Sequence, residues 1–134
     1  MIEDDILRQL QAAVGQAVAA CPLPELPIKY FGRVIKIPDD QRWLELVIIP
    51  NSANDFWGNE QQHKGMFRLI LHWPTDDAGA YAPLAVIRSI AGYFSKSLVM
   101  TNVKIVARPA LTGVLEQGTE TLYPVTMRYL SYEG

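Results

Sequence analysis

Apolar side chains recur at three- and four-residue steps near the start of the chain: Ile6, Leu10, Ala13, Val14, Ala17, Val18 and Cys21. That spacing predicts one α-helix over residues 3–20 with a single apolar stripe, which must be buried against another layer of structure. Glu3, Asp4 and Asp5 fall in the first turn, where carboxylates complement the helix dipole. Pro22, Pro24 and Pro27 then stop the helix and stiffen an extended connector. Gly15 weakens the helix interior by up to ~1 kcal/mol, so it marks a close packing contact.

Beyond the prolines the period changes to two. Residues 28–37 and 42–49 read as strands separated by the turn sequence Pro38-Asp39-Asp40. In the second, Leu44, Leu46 and Ile48 share one wholly apolar face, predicted to look into the core. Trp43, Glu45, Val47 and Ile49 take the other face. Residues 50–65, rich in Asn, Gln and Gly around Phe56-Trp57, read as a long mobile loop, and such loops are usually functional. Residues 66–73 alternate again, with Phe67, Leu69, Leu71 and Trp73 on one side and Arg68, Ile70 and His72 on the other. A turn over 75–79 leads into a second helix, about 81–97, striped by Leu84, Ile87, Ile90, Ala91 and Phe94. A strand runs from Val103 to Pro109, residues 110–120 make a hairpin arm, and a last strand covers about 122–132.

This order predicts an α+β domain over residues 1–134: a mainly antiparallel sheet of four to six strands with two helices packed on one face. Its 134 residues suffice for one core. The apolar share of 49% excludes a disordered tail, while a charged share of 19% hints at surface that something else covers. Twelve basic against 14 acidic residues leave no basic excess for specific nucleic-acid binding. One cysteine excludes an internal disulfide and a multi-cysteine metal framework. The acidic Met1–Asp5 segment is unlike a signal peptide, and no apolar run approaches a membrane span. A soluble chain, intracellular at synthesis, is the expectation.

The search for chemistry returns little. His63 and His72 have no partner at metal-ligand spacing. Cys21 lies on the helix stripe, where a thiol is buried and inert. The doublets Asp39-Asp40 and Asp76-Asp77 sit in turns, where aspartate bonds to its own backbone. No phosphate-binding glycine motif occurs, and Arg88, Lys96, Lys104 and Arg108 suit solvated faces as well as a patch. No catalytic residue, cofactor or metal is expected. What remains are interaction candidates: Trp43 and Glu45 on the second strand's polar-side face, Asn54, Phe56 and Trp57 in the loop, and Leu111 and Leu115 on the arm. A small-molecule binding module or minor enzyme, with an aromatic pocket near Trp73, His72 and Tyr123, is the alternative.

Three runs together resemble the bacteriophage tail-terminator (tail-completion, minor tail protein U-like) family. WLELVIIPN looks like the family's strand leading into a variable polar loop. GMFRLILHWPTDDAGAYAP looks like its strand, proline, turn and helix, and YPVTMRYLSY like its closing strand. The likeness runs from Trp43 to Gly134, and the leading helix also fits. It implies a structural protein without catalysis: a ring, commonly hexameric, that caps the tail tube, stops its polymerisation and presents a head-joining surface. The implied partners are further copies of itself, the tube protein and a head–tail connector. The implied location is the virion tail, after assembly in the bacterial cytoplasm.

Overall fold

The predicted stripe of the first helix is buried along its whole length. A computed structural model describes residues 2–30, 32–50, 62–75, 81–94, 103–105, 109–111 and 113–132. In it α1 (Ile2–Ala19) buries Ile6, Leu10, Ala13, Val14, Ala17 and Val18, and Cys21 follows them into the core. The Cys21 Sγ accepts a hydrogen bond from the Leu23 amide at 3.3 Å. At Gly15 a Cβ would lie 3.4 Å from the Tyr30 hydroxyl, an ordinary van der Waals distance, so the glycine is not required there by a close approach.

The remaining elements are β1 (Ile28–Lys29), β2 (Trp43–Pro50), β3 (Gln62–Pro74), α2 (Tyr81–Tyr93), β4 (Val103–Ile105), β5 (Ala110–Leu111), β6 (Leu115–Gln117) and β7 (Glu120–Tyr132). The sheet order is β1-β2-β3-β7-β4, and β5 and β6 pair with β7 as well. All pairings are antiparallel except β1–β2, so the sheet is mixed. Strands β3 and β7 match over 13 residues each, from Gln62 opposite Tyr132 to Pro74 opposite Glu120.

Period-two alternation divides the sheet into two faces. Leu44, Leu46, Phe67, Leu69, Leu71, Val103, Ile105, Val125 and Met127 look inward and meet Leu10 and Val14 of α1 and Ile87, Ile90 and Phe94 of α2. Each such large side chain taken out of water contributes roughly 1.5–3 kcal/mol. The ring of Phe67 meets Phe94 edge-on, with centroids 5.4 Å apart.

Besides α2, which ends at Tyr93 where about residue 97 was expected, two segments differ from the sequence expectation. The strand predicted over residues 28–37 lasts only two residues. Gly32, at φ 78°, and a turn from the Arg33 amide to the Tyr30 carbonyl (3.0 Å) bend the chain back. That return is required, because β1 and β2 are adjacent and parallel. The segment re-enters the sheet through the predicted turn, where the Gln41 amide reaches the Pro38 carbonyl (2.9 Å) and Asp40 accepts from the Arg42 amide (3.1 Å). At the predicted loop, β3 begins at Gln62, so residues 62–65 are strand. Polar letters hid this pairing; Gly65 allows it, because the Tyr129 ring lies directly over its Cα.

Candidate functional site

The face of the sheet opposite the helices carries β2's Trp43 and Glu45, β3's Arg68, Ile70 and His72, and β7's Glu120, Leu122, Pro124 and Thr126. Trp43 and His72 are direct cross-strand neighbours, and their rings stack with centroids 3.7 Å apart and planes 7° from parallel. Stacked pairs of this kind add about 0.5–1.5 kcal/mol beyond the area they bury. Trp43 is thereby left 8% exposed, with its indole N–H buried and unpaired among the described residues.

His72 joins three strands. Its Nδ1 lies 2.5 Å from Glu120 Oε1 on β7, and its Nε2 lies 3.1 Å from Glu45 Oε1 on β2. Lys29 of β1 approaches the other Glu45 oxygen at 4.0 Å, so one polar chain crosses four strands. Both ring nitrogens face carboxylates, so the imidazole is held between β2 and β7. The arrangement is suited to fixing register, and breaking one buried member leaves the others uncompensated. Glu120 is the member that sequence reasoning missed; only the β3–β7 register, His72 opposite Leu122, places it within reach.

Two concave regions flank this ladder. One groove, about 760 Å³, runs between the proline connector and the start of α2, lined by Pro24, Leu26, Arg42, Trp73, Ala82 and Val86 among others. The Arg42 guanidinium sits over the Trp73 ring, 4.7 Å from its centroid. The second, about 470 Å³, lies on the outer face, lined by Ile70, Leu122 and Pro124 together with Val114 and Leu115 of the arm. Arg68 bounds it and bonds to the Thr126 hydroxyl at 3.2 Å.

The predicted arm is present as β5 and β6, with Leu111 42% and Leu115 50% exposed. Glu45 is half-buried in the ladder. Asn54, Phe56 and Trp57 lie outside the described residues, as do Asp76, Asp77, Lys96 and Arg108. Trp73 and Tyr123 point to the core side and His72 to the opposite side, so these three do not line one pocket. Burial first, and then the charge of Glu116, raises the Tyr123 phenol above its ordinary value. Among the described residues no acidic, histidine or cysteine cluster could hold a metal ion, and no helix is long and apolar enough to cross a membrane.

A solved structure that is 19% identical superposes with a TM-score of 0.79, covering 98% of this chain and 96% of its own. At that identity the likeness is one of fold. No curated protein matches the chain. A family model described as phage tail terminator protein matches residues 5–129, which takes in both helices and the sheet up to Tyr129. Over that span the chain belongs to the phage tail terminator protein family.

Proposed function

We propose that this protein ends phage tail growth by capping the tail tube as a homo-oligomeric ring of six copies, and that the ring presents the surface to which the head is joined. Its role is structural, without catalysis. The observation that carries this reading is the match to the tail terminator family over residues 5–129. The exposed apolar side chains of the arm support it, because a soluble monomer has no use for Leu111, Val114 and Leu115 at its surface. In this reading Asn54, Phe56 and Trp57 contact the tube protein, and the face carrying Trp43 and Glu45 adjoins a neighbouring subunit or the head–tail connector. The protein works in the virion tail after assembly in the bacterial cytoplasm.

Deleting the gene from the phage or prophage and viewing the particles by electron microscopy tests the role. Tails of uncontrolled length without heads are expected. Tails of normal length joined to heads would refute it.

A further inference from the structure

Resting on the ring reading above, we propose the contact that closes the ring: residues 33–37 of one copy seat on the arm and outer-face groove of the next. All five large apolar side chains that stand exposed among the described residues fall in two groups, Val34 with Ile37 and Leu111 with Val114 and Leu115. The first group follows β1, the strand at one edge of the sheet. The second stands beside β7 in line with β4, at the other edge. Two different surfaces at opposite edges are what a head-to-tail interface needs, and head-to-tail contacts close into rings when the rotation fits.

Residues 33–37, Arg-Val-Ile-Lys-Ile, have strand composition yet join no strand. Val34 is 93% exposed and Ile37 57%. Turns at both ends anchor the segment, so it is presented in a defined place. The arm side offers a recess lined by Ile70, Leu122, Pro124, Val114 and Leu115, with Arg68 at its rim.

Charge chooses the occupant. Arg33 and Lys36 are exposed and have no acidic partner among the described residues, while Glu116 projects exposed from the arm. Pairing one segment with the same segment would bring Arg33 and Lys36 against their own copies, and arm against arm would oppose two Glu116 carboxylates. Of the three pairings, segment against arm is the one that sets Arg33 and Lys36 beside Glu116, which favours a head-to-tail contact over a two-fold one. Arg68 at the rim donates to the neutral Thr126 hydroxyl and keeps its charge, so the basic side chains of the segment lie toward Glu116 and away from it.

Complementation separates the possibilities. Val34→Asp/Ile37→Asp and Val114→Asp/Leu115→Asp change exposed side chains, so both should keep the wild-type circular dichroism spectrum. Each alone should be monomeric by light scattering at concentrations where the wild type assembles. Mixed in equal amounts, they retain one intact segment and one intact arm between them, and should form dimers and nothing larger. A Val34→Cys protein mixed with a Leu115→Cys protein should cross-link to a heterodimer on mild oxidation. Wild-type-sized rings from either aspartate variant, or preferred 34–34 cross-links, would overturn the contact and leave the ring reading standing. A wild type that stays monomeric both in solution and with tail tubes would remove both.

Discussion

Gly65 and Tyr129 face each other across β3 and β7, and a side chain at 65 would collide with the ring, its Cβ 2.6 Å from Tyr129 Cζ. Tyr129 is buried, so it has little room to yield. Gly65→Ala should therefore destabilise by about 1–3 kcal/mol, as overpacking does. Urea unfolding reads this directly, and adding Tyr129→Leu should recover much of the loss; additive costs would show that the ring is not the obstacle. Tyr123 gives a pH dependence. Its phenol is held above 10.0 by burial and by Glu116, so the folded state favours the protonated form. The stability this contributes is whole below the unfolded value and is lost as pH rises through the folded value. Between about pH 9 and about pH 11, Tyr123→Phe should thus lose stability less steeply than the wild type in thermal melts. Parallel curves would assign the alkaline loss elsewhere. Neither feature is visible in the letters, because one depends on the register of β3 against β7 and the other on burial and on β6 lying beside β7.

Among the elements, α1 was the most legible: every position of its predicted stripe is buried, because a 3.6-residue period depends only on local spacing. Leu10, fully buried at the centre of that stripe, should cost about 2–5 kcal/mol when changed to alanine. Ala12→Ser, on the exposed side of the same helix, should stay within about 0.5 kcal/mol. Chemical denaturation of the two variants tests the facing, and equal costs would reject it. The β2 core face was read correctly for the same local reason, with Leu44 and Leu46 buried and Ile48 packed against the core. The alternation in residues 28–37 misled, since a β-prone run forms strand only where a neighbour accepts its hydrogen bonds. After Lys29 the chain turns at Gly32, and residues 33–37 join no strand of the sheet. The His72 ladder had no sequence signal, its members being separated by 27 and 48 positions.

For the whole molecule, the α+β class followed from the order of periods and stands, with the helices on one face. The mixed character of the sheet rests on one two-residue parallel strand, too short to leave a pattern. The exposed large apolar side chains among the described residues fall in two groups, one in the segment after β1 and one on the arm beside β7. Strand β7 has a further consequence. It is the common neighbour of β3, β4, β5 and β6, and it follows all four of them in the chain. While the ribosome is still adding residues before Glu120, β3 has a partner on one side only and the arm has no strand to lie against. The sheet is therefore completed only once β7 has been made, and its far-apart pairings make that step comparatively slow. Until β7 emerges, the arm formed by β5 and β6 has no strand to fix its place, so no partner can recognise it.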